Sequence, residues 1–401
     1  MNLDWTEDDL AFRQEVRDFL EQSMTPEIRH VGRHLTSVYG PKAVSIAWQK
    51  ILHAKGWVAP AYPVEYGGTG WDLTRRYIFA SECARAGTPP LSPMGLGMCG
   101  PVLLAYGTPE QKARFLPPML AGDEFWCQGY SEPGSGSDLA TLQMSAREDG
   151  DDYVCNGHKI WTTHANVSDW IFCLVRTAQE RVPQLGITFL LIDMRSPGVE
   201  VRPIISLSGE HIQNEIFFTD VRVPKANVVG EAGQGWTVAK YLMEFERGGS
   251  VSAPGLAARV KRLQAMIQPG DDDFAARVAQ VSIEVEALST TELRVMSTVA
   301  QGGGAGPASS LMKTVSTELS QRIAELALEA TGLYAMPFQP HSVCPGGPVP
   351  GFEGDFEPVG PERSYIAIAK YLNDRAGSIY AGTNEIQRNI MAKTLLGLGK
   401  S

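Results

Sequence analysis

Long apolar runs are missing from these 401 residues. None approaches the roughly 18 consecutive apolar residues that a membrane-spanning helix needs, so no membrane association is expected. Basic runs interleaved with aromatics are also missing. With 35 Lys and Arg against 45 Asp and Glu, the formal net charge is −10, which argues against a nucleic-acid surface. A compact anion could still meet local Arg and Lys. The six cysteines (Cys83, Cys99, Cys127, Cys155, Cys173 and Cys344) form no C-x-x-C, and no Cys/His group has zinc spacing. The seven histidines form no H-E-x-x-H, so a metal enzyme is disfavoured and reduced, mostly buried thiols are expected. The opening "MNLDWTEDDLAF" lacks the basic-then-apolar form of a signal peptide, and a cytoplasmic location is the expectation.

What is present is an ordinary globular balance, 43% hydrophobic and 20% charged, with room for two or three domains. "TEDDLAFRQEVRDFL" predicts a helix capped by Thr6 with Asp9 three residues on, and with Val16, Phe19 and Leu20 on one face. Proline and glycine punctuate further helices up to about Trp126. The pattern then changes. "DYVCNGHKIWTT", "DWIFCLVRT", "GITFLLIDM", "VEVRPI" and "NEIFFTDVRV" are short, rich in β-branched and aromatic residues, and separated by turn residues. From Gly235 helical spacing returns, with Val238, Tyr241, Leu242 and Phe245 at i, i+3, i+4 and i+7. "QPGDDD" (268–273) and "QGGGAGP" (301–307) read as loops. Residues 337–362, dense in Pro and Gly, read as a long loop that is either disordered or a functional lid. The expected fold is α+β: an N-terminal helical domain (1–126), a middle β-barrel or sandwich (127–232) and a C-terminal four-helix bundle (233–401).

Five motifs occur in one order: "PVEYGGTG" (63–70), "GTPEQKARFLPPMLAG" (107–122), "GYSEPGSGSDLA" (129–140), "NGHKIWTTHA" (156–165) and "YAGTNEIQRNI" (380–390). Together they resemble the acyl-CoA dehydrogenase family along nearly the whole chain. "WCQGYSEPGSGSDLA" is most similar to large subunits of pimeloyl-CoA-type dehydrogenases and to dehydrogenases acting on steroid side chains. The resemblance implies FAD as cofactor, an acyl-CoA thioester as substrate, and electron-transfer flavoprotein or a similar acceptor as partner. A base takes the α-proton of the thioester, and the β-hydride passes to flavin N5.

By position in the family motifs, Gln128, Tyr130, Ser131, Gly136 and Ser137 would lie along the flavin ring, with Ser137 also near the substrate. Glycine permits close backbone approach to a ring edge, and Ser131 offers a small donor. Trp161 and Thr163 match positions that cover and hydrogen-bond the flavin, and a Trp suits stacking on a flat ring. Thr383 and Glu385 match positions near the adenosine half.

Many family members carry their base just before Gly-Thr, but this chain has Ala381 there, followed by Gly382. Ala381 keeps the backbone N–H that helps polarise the thioester oxygen, so both residues count as substrate contacts. Periodicity leaves Glu244 and Glu246 on the flanks of the same apolar stripe. The resemblance selects Glu246, because some relatives carry the base on this helix immediately before an arginine. Arg247 would then contact the anionic CoA side, and Asp374 is a distant alternative base. A carboxylate in an apolar acyl pocket has a raised pKa, suited to a general base. A base moved off residue 381 leaves room beside the α-carbon. Gly95, Gly97 and Gly100 would line the pocket lightly, which points to a branched or polycyclic acyl group.

The pattern fails in one region. The R-x-x-F-G motif that donates to a partner's FAD diphosphate is missing. "QAMIQPGDDDFAAR" stands in its place, with Asp271, Asp272 and Asp273 repelling a diphosphate. Further on, Glu329 and Leu333 replace the family's Gln and Gly. A homologous second subunit in a heterotetramer would supply the lost half-site; a homodimer or homotetramer whose rebuilt loop gives backbone N–H groups to the diphosphate is the other reading. Other flavin chemistry on the same fold, oxidase or monooxygenase, and a non-catalytic structural subunit remain the alternative readings.

Overall fold

The computed structural model describes residues 5–248, 252–300, 306–352 and 357–399, with the side chains of 244–248 and 300 outside the described set. Six helices come first: α1 (Glu7–Ser23), α2 (Pro26–Arg33), α3 (Lys42–Lys55), α4 (Leu73–Ala86), α5 (Gly100–Tyr106) and α6 (Pro109–Ala121). Thr6 and Asp9 close the expected capping box on α1, and Phe12, Val16 and Leu20 are its buried face. Thr108 and Gln111 make a second capping box on α6. The Gln111 amide also donates to the carbonyls of Ala226 and Val228 at 2.8 and 2.7 Å, which ties the helices to the strands that follow.

Seven strands follow: β1 (Trp126–Gly129), β2 (Ser145–Asp149), β3 (Asp152–Lys159), β4 (Trp170–Arg176), β5 (Ile187–Asp193), β6 (Val199–Ile205) and β7 (His211–Pro224). They form one sheet in the order β1-β4-β2-β3-β7-β6, with β5 paired to β4. β4 is buried along its whole length, and its alternation feeds two cores. Phe172 and Leu174 face the N-terminal helices, while Ile171, Cys173 and Val175 join a second cluster with Ile192, Ile216 and Val221. All six cysteines are free thiols, four of them buried.

The chain then returns to helices: α7 (Gly235–Gly248), α8 (Ala253–Gln264), α9 (Asp272–Ala300), α10 (Ala308–Thr331), α11 (Ala367–Asp374) and α12 (Asn384–Leu395). Val238, Ala239 and Leu242 of α7 are buried, and Leu256, Val260, Val278, Val285, Leu319 and Ile323 make the core of the bundle. Two loop expectations need correcting. Asp272 and Asp273 are helical, because Asp271 caps the Phe274 N–H at 3.1 Å and acidic residues suit a helix N-terminus. The described part of the 337–362 segment is a fixed connection. The Cys344 N–H donates to the His34 carbonyl at 2.8 Å, the His211 N–H to the Pro348 carbonyl at 2.8 Å, and the Gly346 N–H to the Glu210 carboxylate at 2.8 Å. Residues 301–305 of the other predicted loop lie outside the described set.

Candidate active site

The β1 strand runs into Tyr130, and residues 131–138 then double back. Glu132 and Ser135 exchange backbone hydrogen bonds at 2.9 Å each, and the Ser135 hydroxyl donates to the Asp138 carbonyl at 2.9 Å. The turn is therefore closed from inside, and its other face is open: Pro133, Gly134, Gly136, Ser137 and Asp138 are exposed. A Cβ added at Gly134 or Gly136 would meet nothing within 4 Å, so a ring edge can approach the backbone there. Gln128 and Ser131 are half-buried, and Tyr130 is buried against Phe172, ring centroids 5.9 Å apart.

The second segment follows β3. Trp161 has φ +61° and His164 φ +59°, left-handed values that bulky residues rarely adopt. Neighbouring bonds hold them there. The Ile160 N–H donates to Ser131 O (3.0 Å), the Thr162 N–H to Asn214 O (3.0 Å) and the His164 N–H to Ile212 O (2.8 Å). The Asn214 amide returns a bond to Thr162 O at 3.0 Å. His164 Nε2 lies 2.9 Å from the Gly346 carbonyl, and burial lowers its pKa despite that contact. The result is a Trp161 side chain 60% exposed beside a buried Thr163. Strain held by surrounding bonds at one exposed aromatic is typical of a ligand clamp.

The structure thus brings Ser131 and Trp161 into one unit through a single backbone bond, with the glycine turn beside them. These residues fit a flavin: an exposed aromatic plane, an open glycine backbone and a small hydroxyl. When bound, FAD supplies the hydride acceptor. The chain's own part is to orient and cover it.

The third segment stands on the bundle. Thr383 caps α12, accepting from the Ile386 N–H at 3.3 Å. Glu385 sits in the first turn of α12, its pKa lowered by its own N–H and by Thr383. Asn384 accepts from Lys313 at 2.8 Å, and burial pushes the Lys313 ammonium down to about 8. Ala381 and Gly382 are both left-handed, φ +53° and +81°. Among the described residues no hydrogen bond engages the Ala381 N–H, which leaves it able to serve as a donor. Among the described residues no hydrogen bond joins this turn to Ser131 or Trp161.

The backbone of Glu246 and Arg247 lies in the last turn of α7, and their side chains fall outside the described residues. Asp374 is placed away from any open site. It is buried, bonded to Arg259 at 3.0 Å and Ser320 at 3.0 Å, and paired with Lys370. Burial raises its pKa, but Lys370 and Arg259 outweigh that and lower it overall, the opposite of what a base needs. The glycines also need correction. A Cβ at Gly100 would lie 1.7 Å from the Tyr62 hydroxyl, and one at Gly95 3.1 Å from Met119, so both serve packing around a π-helical turn (Met94–Cys99). Sequence reasoning passed over Glu132 and Lys159, although both stand inside quoted motifs. An acid and a base in otherwise apolar or glycine-rich strings were the available signal.

Three family models match the chain in succession: the acyl-CoA dehydrogenase N-terminal domain over residues 6–123, the middle domain over 127–221 and the C-terminal domain over 233–396. The chain belongs to the acyl-CoA dehydrogenase family. That family consists of FAD-dependent oxidoreductases acting on CH–CH groups. The acyl-CoA dehydrogenase IpdE1 of Mycobacterium tuberculosis is 37% identical over 88% of this chain and 87% of its own. IpdE1 of Mycolicibacterium smegmatis is 34% identical over 96% and 97%. Among solved structures, the Tcur3481–Tcur3483 steroid ACAD superposes with a TM-score of 0.81 at 26% identity, covering 100% of both chains. The ChsE4–ChsE5 complex from Mycobacterium tuberculosis gives 0.78 at 29%, again over 100% of both. The three-part helix–sheet–helix fold expected from the sequence is the observed one. No helix among the described residues is long and apolar enough to cross a membrane.

Proposed function

We propose that the protein is an FAD-dependent acyl-CoA dehydrogenase that introduces an α,β double bond into the CoA thioester of a branched or polycyclic acid. The observation that carries this reading is the composite of Ser131, the open glycine turn and the clamped, exposed Trp161. Gln128, Tyr130, Gly136, Ser137 and Thr163 complete the flavin contacts, and Thr383 and Glu385 serve the adenosine half. Glu246 removes the α-proton while the Ala381 N–H polarises the thioester oxygen, beside Gly382. Arg247 meets the anionic CoA side. The ion-paired state of Asp374 supports Glu246 by removing its rival. The bulky substrate class draws support from the likeness to the Tcur3481–Tcur3483 steroid ACAD.

A homologous second subunit is part of the proposal. Both solved relatives, Tcur3481–Tcur3483 and ChsE4–ChsE5, are named for two different chains. Exposed apolar side chains at Leu333 (86%), Met336 (79%) and Leu396 (70%) on the C-terminal part suit a partner. Electron-transfer flavoprotein or a similar acceptor would reoxidise the flavin.

The test is a panel of acyl-CoA thioesters with an artificial electron acceptor, run on wild type and Glu246→Gln. Branched or polycyclic thioesters are expected to turn over best. Glu246→Gln should keep its flavin and lose turnover by roughly a hundredfold or more, the scale of removing a general base. Near-normal turnover in that variant would sink the base assignment, and a preference for short straight chains would sink the substrate class.

A further inference from the structure

Lys159 is wholly buried. Its ammonium group has three N–H donors, and three acceptors surround it: Tyr130 O at 3.1 Å, Glu132 Oε1 at 2.8 Å and Leu174 O at 2.8 Å. Glu132 is equally satisfied. Its Oε1 also accepts from the Met144 N–H at 2.9 Å, and its Oε2 from the Gln143 N–H at 2.6 Å. A buried ion pair is a poor way to gain stability, since apolar residues of similar volume often do as well. A fully bonded one fixes geometry instead.

The geometry it fixes is that of the two flavin-facing segments. Glu132 follows Ser131 directly, and the bond to Tyr130 O holds the chain on the other side. Lys159 precedes Ile160, whose N–H bonds Ser131 O, and stands two residues before Trp161. The pair therefore lies beneath Ser131 and Trp161, with the ammonium at 0% exposure and the Trp161 side chain at 60%. A second buried cation holds the far end of the same loop. Arg176 donates to Ala140 O at 2.8 Å, Leu142 O at 2.9 Å and Pro183 O at 2.9 Å. Residues 130–142 are thus tied down at both ends, and the exposed turn between them is presented as a rigid edge.

We propose that Lys159, through Glu132, is a positioning residue for the flavin: it holds Ser131 and Trp161 in one preformed cradle. The proposal rests on the FAD reading above. Pre-ordering lowers the cost of binding, so loosening the cradle weakens FAD affinity rather than only lowering the melting temperature.

The experiment uses the full chain, co-purified with its partner subunit if FAD retention requires one. Lys159→Met is compared with wild type and with Val16→Ala, a core change on α1. FAD is titrated by fluorescence, and the bound flavin's absorption band is recorded. Lys159→Met is expected to weaken FAD binding tenfold or more and to blur the resolved shoulder of the flavin band toward that of free FAD. Val16→Ala should lower the melting temperature and leave both flavin readouts unchanged. Should the single variant fail to fold, Lys159→Met with Glu132→Gln removes both charges together and is read the same way. Wild-type FAD affinity and spectrum in a folded variant, at a reduced melting temperature, would overturn the proposal. A wild-type chain that binds no FAD under any arrangement overturns the FAD reading and this proposal with it.

Discussion

Trp161 spends conformational energy to stand in solvent. A left-handed backbone costs a non-glycine residue roughly 1–2 kcal/mol, and an exposed ring returns little of it without a ligand. Alanine keeps the Cβ and so the backbone cost, and little buried area is lost, so Trp161→Ala is expected to leave the melting temperature of the flavin-free protein nearly unchanged. The same change should weaken FAD binding by about three- to tenfold, the scale of one lost ring-stacking contact. Differential scanning calorimetry on the flavin-free protein, with a parallel FAD titration, separates the two. A large drop in melting temperature with unaltered FAD affinity would return Trp161 to ordinary packing. Ala381 is another exposed non-glycine residue of the candidate site with a left-handed backbone, φ +53°.

At the scale of elements, Asp374 shows how a carboxylate can lie near a site in sequence and be unavailable to it. It ties α8, α10 and α11 through Arg259, Ser320 and Lys370. Removing its charge leaves two buried or half-buried cations without their counter-ion, so Asp374→Asn is expected to cost about 3–5 kcal/mol at neutral pH. The pH dependence follows from its lowered pKa. A carboxylate depressed in the folded state contributes fully above its unfolded value of 3.8, and that contribution disappears as the pH falls below it. The stability gap between wild type and variant should therefore narrow on acidification through pH 3.8. Urea unfolding at pH 7 and near pH 3 measures it, and a constant gap would contradict the linkage. The 337–352 connection is the other instructive element. Its proline and glycine content reads as either disorder or a lid. Bonds to His34, Glu210, His211 and His164 make it a seam between the helical and β parts. Glu210 is at its centre, also accepting from Thr36 at 2.6 Å and Ser208 at 3.1 Å, with burial raising its pKa.

At the scale of the molecule, the C-terminal surface exposes Leu333, Met336 and Leu396. The segment that stands where the family's donor motif is missing carries a surface ion network: Arg277 pairs with Glu329 at 2.6 Å and with Asp273 at 3.1 Å. The arginine nearest the place of the missing motif is thus already neutralised by this chain's own carboxylates. That favours a partner chain as the source of diphosphate contacts. Purified alone, the chain is expected to hold FAD weakly. Co-expressed with a homologous subunit, it should give a complex of two copies of each chain with two flavins. Light scattering and flavin absorbance per chain decide it, and one tightly held FAD per chain in a stable homotetramer would refute it.

The sequence by itself determined the order of the three parts, the helix cap at Thr6, the thiols and the family, because these depend on local pattern and on strings of neighbouring residues. It also marked Ser131, Gly136 and Trp161, of which the structure joins the first and last through the Ile160 N–H. Only the tertiary structure decided what depends on residues far apart in the chain. Gly95 and Gly100 are small because Met119 and Tyr62 press on them. Asp374 is occupied because α8 and α11 bring cations to it. Lys159 matters because β3 lays it beneath a loop that begins 28 residues earlier, at Ser131. The acid and the base stand out in their strings, but the chain does not show that they pair, since the cost of burial and the bonds that offset it exist only once the strands have met.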